Sequence, residues 1–221
     1  MSLSTSAMYK VSEIFFTLQG EGCHSGIPAI FVRLSGCNLH CPWCDTDFSL
    51  REKMTAQQIA QTAIDLYDAD TQGRRRMLVL TGGEPALQVD EPLIEELHKA
   101  GFYIYIETNG THALPEGIDW ITCSPKAESL HNPAKKLVLK QVDEVKVVFT
   151  GDYNPDVWRD YLEAEHWLLQ PLRYNGEWLL QSGTDEWEDD RNDNLNDTVR
   201  YILSHPFWRL SVQLHKIVGI R

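Results

Sequence analysis

RLSGCNLHCPWCDTD, residues 33–47, sets three cysteines on one short loop as Cys37-x3-Cys41-x2-Cys44. Thiolates this close together are soft ligands suited to zinc or to an iron–sulfur cluster. A closed structural zinc or cluster site takes four ligands, and this loop offers three. Three ligands leave one metal position open, where a cofactor or substrate can bind. Two other readings start from the same residues. One is a zinc loop completed by a distant ligand such as His24 or His40. The other is three loosely spaced core cysteines.

The residues around this loop predict its support. PAIFVRLS (28–35) is apolar and rich in β-formers, so the loop hangs from the C-terminal end of a buried strand. Residues 11–22 begin strand-like and end in a Gly-rich turn. A helix is predicted over 55–69, capped by Thr55, and another over about 90–100, with Pro92 near its start and Gly101 as its stop. MLVLTGGEP (77–85) and FYIYIETNG (102–110) read as strand then turn. Further strands are expected over 118–123, 144–150 and 166–172, and a last one in LSVQLHKIVGI within 208–220. Helices are expected over 154–164 and about 197–204, and an acidic loop over 183–197.

Strands alternating with helices imply right-handed crossovers and a mainly parallel sheet. Six or seven strands are too few for a closed eight-fold barrel, which runs to ~250 residues. An α/β fold is therefore predicted: a partial, open parallel β/α barrel of about six strands. The polar motifs all follow strand C-termini, the rim on which such folds build sites. Residues 1–7 read as a disordered extension and 8–221 as a single domain.

Composition excludes several classes. The chain has 221 residues, 43% hydrophobic and 24% charged, with a net charge of −12. That charge disfavours a general nucleic-acid surface, which needs a basic face. Arg74-Arg75-Arg76 is a short basic run read as a solvated loop edge. No apolar run reaches the roughly 18 residues of a membrane span. Five cysteines, three of them clustered, do not make a secreted disulfide framework and point to a reducing cytoplasm.

Cys37-x3-Cys41-x2-Cys44 with Trp43 before the last cysteine resembles the radical S-adenosylmethionine signature. Thr81-Gly82-Gly83-Glu84-Pro85 resembles the same superfamily's GGEP element. Leu18-Gln19-Gly20-Glu21-Gly22, preceded by FFT, with Arg33 and CDT following, resembles the 7-carboxy-7-deazaguanine synthases, and the likeness extends to Leu214-His215-Lys216. The resemblance implies a truncated radical-SAM-type fold and a 4Fe-4S cluster on Cys37, Cys41 and Cys44. It implies radical ring contraction of 6-carboxy-5,6,7,8-tetrahydropterin to 7-carboxy-7-deazaguanine, with loss of ammonia.

The site residues implied by this resemblance are as follows. Magnesium is placed on Thr46, where one protein oxygen plus a substrate carboxylate suits that ion. S-adenosylmethionine is placed near Trp43, Cys44, Asp45, Gly83, Glu84, Ser124, Pro125, Lys126, Gln170, Pro171, Leu172 and Arg173. The substrate is placed against Leu18, Gln19, Gly20, Arg33, Thr81 and the chain-end residue Arg221. Gln19 offers an amide donor and acceptor to the ring edge, and Arg33 paired hydrogen bonds to a carboxylate. Glu107-Thr108-Asn109 is expected to line the cavity without an assigned role. Cys123 is expected to be a buried small residue rather than a fourth ligand, and His24, His40 and His215 structural. A flavodoxin or ferredoxin-type electron donor and a homodimer are implied as partners. Two rivals share some of these features: a glycyl-radical activase acting on a partner protein, and a non-enzymatic cysteine-loop metal or electron-transfer module. LQGEG with Arg33 speaks against the first. The second leaves the missing fourth ligand unexplained.

Overall fold

The structure is a computed structural model that describes residues 7–67, 75–172 and 193–220. The expected N-terminal extension up to residue 6, Arg74, Arg173, residues 183–192 of the acidic loop and Arg221 lie outside these residues. Among the described residues nine strands form one open sheet in the order β3-β1-β2-β4-β5-β6-β7-β8-β9. They are β1 (Tyr9–Leu18), β2 (Pro28–Leu34), β3 (Glu52–Met54), β4 (Arg76–Gly82), β5 (Phe102–Thr108), β6 (Trp120–Cys123), β7 (Gln141–Phe149), β8 (Glu163–Pro171) and β9 (Arg209–Leu210). From β2 through β9 every neighbouring pair is parallel. β1 runs antiparallel to both β2 and β3. The sheet is unclosed and mostly parallel, as the alternation of elements predicts.

Period-2 alternation sorts the side chains of the sheet. Ile30, Val32 and Leu34 of β2, Leu78 and Leu80 of β4, and Ile104 and Ile106 of β5 are buried in one core. Ile59 and Ala63 of helix α1 (Ala56–Leu66) join it, as do Leu93, Ile94 and Leu97 of α2 (Glu91–Lys99). A second core gathers Val145, Val147, Phe149, Trp158, Trp167, Leu169 and Trp208. The intervening residues of β2, β4 and β5, namely Arg33, Thr81 and Glu107, face the other way, into the cavity described below.

The local sequence accounts for the helix ends. Thr55 Oγ1 accepts from Gln58 N at 3.2 Å and Gln58 Oε1 from Thr55 N at 2.8 Å, a reciprocal cap for α1. The Asp90 carboxylate accepts from Leu93 N at 3.1 Å, Pro92 sits in the first turn of α2, and Gly101 ends it at φ +85°. No helix among the described residues is long and apolar enough to cross a membrane.

Three sequence expectations differ from the structure. The helix expected over 154–164 is a 3-10 helix, Pro155–Asp160. Burial of Trp158 and Leu162 pins it, and Glu163 N already donates to Lys140 O at 2.7 Å to begin β8. The acidic stretch is helical from Asp193, where α4 (Asp193–Ser204) begins, the one-turn α3 (Glu128–His131) lying earlier, between β6 and β7. The last strand expected within 208–220 reduces to Arg209–Leu210, followed by α5 (Leu214–Val218). Past Ser211, whose N–H still reaches Leu169 O at 2.9 Å, the chain leaves the sheet, and Leu214 N donates to Gly20 O at 2.8 Å. β3 was not foreseen in the sequence.

Candidate active site

A cavity of about 660 Å³ opens at the C-terminal rim of the parallel strands. Its wall brings together Leu18 at the end of β1, Gln19 and Gly20 just after it, Arg33 on β2, and Cys37, Cys41, Trp43, Cys44, Asp45 and Thr46 on the loop after β2. Thr81 and Gly83 at the end of β4, Ser124 and Lys126 after β6, and Gln170 on β8 complete it. Arg33 and Thr81 are cross-strand neighbours in the register of β2 and β4. The Glu13 carboxylate accepts from Arg33 Nε at 2.8 Å.

The cysteine loop rests on bare backbone. Gly83 N donates to Leu34 O at 3.1 Å and Glu84 N to Gly36 O at 2.9 Å. A Cβ at Gly83 would lie 2.1 Å from Gly36 O and 2.9 Å from Cys37 Cβ. The paired glycines let β4 approach the start of the loop directly. Glu84 does not reach the cavity wall. It is buried, bonding Thr108 Oγ1 at 2.6 Å, Asn109 N at 2.7 Å and Ala86 N at 2.9 Å. Burial pushes its carboxyl up, against those three donors. Its observed work is to tie the GGEP turn to the end of β5. Asn109 Nδ2 in turn donates to Asn38 Oδ1 at 3.0 Å, inside the cysteine loop.

Pro125, Pro171 and Leu172 are likewise absent from the cavity wall, and Arg173 and Arg221 lie outside the described residues. Cys123 is fully buried and off the wall, and burial pushes its thiol up to about 12. His24 packs edge-on against Tyr105 and Trp120, with ring centroids 4.7 and 4.3 Å away.

The donor set fits an iron–sulfur cluster. Cys37, Cys41 and Cys44 all line the cavity. Burial raises the thiols of Cys37 and Cys41, opposed by the backbone N–H groups of Leu39 and Asn38 at Cys37 and by Lys126 at Cys41. Leu39 N donates to Cys37 Sγ at 3.4 Å, and the Lys126 ammonium favours the Cys41 thiolate. Lys126 stands 5.5 Å over the Trp43 ring and donates to Ser124 Oγ at 2.6 Å and Ser124 O at 2.8 Å. Thiolates that hold separate iron atoms need a common wall rather than one point of convergence.

A second polar cluster, centred on Lys146, lies at the floor of the cavity. Lys146, 4% exposed, donates to Glu21 Oε2 at 2.6 Å and Glu107 Oε2 at 3.2 Å. Gln19 Nε2 donates to Glu107 Oε1 at 2.9 Å, and Glu21 N to Gln19 Oε1 at 3.2 Å. Burial pushes the Glu21 carboxyl up, but the Lys146 ammonium and the Gln213 amide outweigh it and hold Glu21 at about 2. Burial likewise disfavours the Lys146 cation, and Glu107 and Glu21 reverse that, so it stays charged. Lys146 is thus shared between the carboxyl groups of Glu21 and Glu107. Lys146 carries a sequence signal, a charge flanked by apolar residues in VKVVF (145–149). Gln213, His215 and Lys216 complete the wall from α5 and the residue before it.

A family model described as the Radical SAM superfamily matches residues 31–129. A 7-carboxy-7-deazaguanine synthase from Bacteroides thetaiotaomicron is 44% identical, the match covering 97% of this chain and 100% of the relative. One from Bradyrhizobium diazoefficiens is 40% identical over 96% and 99% of the two chains. Among solved structures, QueE from Escherichia coli superposes with a TM-score of 0.66 at 27% identity, covering 94% of this chain and 95% of that one. With a 4Fe-4S cluster and S-adenosylmethionine implied by that membership, the chain belongs to the 7-carboxy-7-deazaguanine synthase family of radical SAM enzymes.

Proposed function

We propose that this protein converts 6-carboxy-5,6,7,8-tetrahydropterin into 7-carboxy-7-deazaguanine, with loss of ammonia, as a lyase of 7-deazapurine biosynthesis. One observation carries the reading. A single cavity joins the three-thiol wall to a guanidinium, an amide and a carboxylate floor that match a flat, donor-rich carboxylic acid. Arg33 holds the substrate carboxylate by charge-assisted hydrogen bonds, with Thr81 beside it on the next strand. Gln19 and the backbone of Leu18 and Gly20 read the ring edge, and the carboxylates of Glu21 and Glu107 accept from its N–H groups. Cys37, Cys41 and Cys44 hold the cluster. Trp43, Asp45, Gly83, Ser124, Lys126 and Gln170 flank the cofactor. When bound, the cluster and S-adenosylmethionine supply a radical that removes one hydrogen atom from the substrate. The chain binds, orients and excludes water. Thr46 offers a hydroxyl oxygen for magnesium beside the substrate carboxylate. A flavodoxin or ferredoxin-type donor, a homodimer and a cytoplasmic setting complete the proposal.

The test is anaerobic. Reconstituted protein gives a 4Fe-4S spectrum that Cys37→Ala, Cys41→Ala or Cys44→Ala abolishes. With dithionite, S-adenosylmethionine and the carboxy-tetrahydropterin it releases 7-carboxy-7-deazaguanine. Cofactor cleavage that ignores the pterin overturns the assignment, and tight zinc without iron overturns the cluster. Arg33→Ala weakens substrate affinity about tenfold or more while cofactor cleavage persists; unchanged affinity by titration removes Arg33 from the site.

A further inference from the structure

Residues 211–216 touch two motif loops that are far apart in sequence. Toward LQGEG, Gly22 N donates to Ser211 Oγ at 3.2 Å, Leu214 N to Gly20 O at 2.8 Å, and Gln213 Nε2 to Glu21 Oε1 at 2.7 Å. Toward the cysteine loop, the Lys216 ammonium pairs with the Asp45 carboxylate, one residue past Cys44. Lys216 also donates to Gln213 Oε1 at 2.7 Å. One amide therefore joins both ends: its N–H side meets the Glu21 carboxylate and its oxygen meets the Lys216 ammonium. The approach is built into the platform, because a Cβ at Gly20 would lie 2.1 Å from His215 Nδ1.

We propose that Gln213 and Lys216 are positioning residues that hold the substrate platform, residues 18–22, at a fixed separation from the cysteine loop. The proposal rests on the functional reading above. The reaction joins two partners held by different loops, the cofactor beside the cysteines and the substrate on LQGEG. Hydrogen transfer needs near-contact geometry, and a misplacement of about 1 Å can cost on the order of a hundredfold. No sheet pairing follows β9 among the described residues, so α5 is held to the platform by Leu214 N on Gly20 O and to the cysteine loop by the Glu21–Gln213–Lys216–Asp45 chain. The Lys216–Asp45 pair alone is partly exposed and weak. Its effect comes from being continuous with the buried carboxylate–ammonium cluster behind Gln213.

The test compares Lys216→Met, which keeps the stem and removes the charge, with Lys216→Arg, which keeps the charge. In the reconstituted, cluster-loaded chain kept anaerobic, the Cys44 backbone amide, which donates to Cys41 O at 3.1 Å, exchanges with deuterium about tenfold faster in Lys216→Met and near the wild-type rate in Lys216→Arg. In reconstituted protein with dithionite, the ratio of 5′-deoxyadenosine to 7-carboxy-7-deazaguanine rises about tenfold in Lys216→Met, and Lys216→Arg restores it. Unchanged exchange in Lys216→Met overturns the tie. Faster exchange with an unchanged ratio overturns the positioning role and leaves a merely structural contact. A wild-type chain that forms no 7-carboxy-7-deazaguanine overturns the functional reading and the coupling with it, while the exchange measurement still decides the tie.

Discussion

Gly83 and Lys146 show how single residues set this site. At Gly83 the limit is space. An added Cβ meets Gly36 O at 2.1 Å, and that oxygen is backbone tied to Glu84 N. Gly83→Ala must therefore displace the cysteine loop, with an overpacking cost of about 1–3 kcal/mol. Urea unfolding at lower denaturant and fewer iron atoms per chain after reconstitution are the expected results. At Lys146 the limit is charge. Lys146→Met leaves two carboxylates without their cation, a loss of about 3–5 kcal/mol at neutral pH. The pH dependence has a definite sign. Glu21 lies at about 2 in the folded chain against an ordinary 4.5, so its contribution is complete above 4.5 and lost as pH falls toward 2. Without Lys146, the largest opposition to burial is gone and only the Gln213 amide and His215 still lower Glu21, so its carboxyl moves up and protonation on acidification relieves the variant. The gap between wild type and variant, from unfolding curves at a series of pH values, is widest near neutrality and narrows below about 4.5.

At the scale of elements, the loops that carry chemistry are braced by elements that carry none. Glu84 links the GGEP turn to β5, and Asn109 links β5 to Asn38 of the cysteine loop. α1 lies behind β1 and β2 and contributes only stability. Its reciprocal cap makes Thr55→Ala cost about 1 kcal/mol, and a chain of this size should lose about 2–4 °C in Tm by calorimetry. Activity of the intact variant at low temperature should be unchanged, because Thr55 does not line the cavity. The 3-10 helix Pro155–Asp160 and the two-residue β9 are elements whose length tertiary contacts decided. Trp158 and Leu162 are spaced as a helix would space them, but they bury into a corner before β8 begins.

At the scale of the molecule, the sheet has a protected centre and two frayed ends. β4 and β5 are flanked on both sides, with Leu78, Val79, Leu80, Ile104 and Ile106 fully buried. Their amides should exchange only by global opening, while those of β3 and β9 at the sheet edges exchange by local opening. Mass-spectrometric hydrogen exchange checks this, with protection falling from β4 and β5 toward both edges. The site takes residues from both sides of that centre, from the cysteine loop after β2 to Gln170 on β8.

The sequence by itself determined the alternation of strands and helices, the parallel sheet and the rim position of each motif. Those features depend on local periodicity, turn residues and ligand spacing. It also carried the three-thiol wall through ligand spacing and Arg33 through its place in an apolar strand, while Gln19 and Thr81 entered only through the resemblance of their motifs to a known family. Tertiary structure decided that Glu84 faces inward as a brace, although its motif suggested a ligand contact. Only the fold could show which buried donors, Thr108 Oγ1 and Asn109 N, would claim that carboxylate. Tertiary structure also decided that the C-terminal segment turns off the sheet and spans the rim. Its apolar alternation reads as a strand, but an edge residue pairs only where a neighbour offers backbone, and beyond Ser211 the partners on offer are Gly20, Glu21 and Asp45. The joining of LQGEG, Lys146, Gln213 and the cysteine loop into one cavity is a long-range property, set by which strand ends the sheet brings side by side.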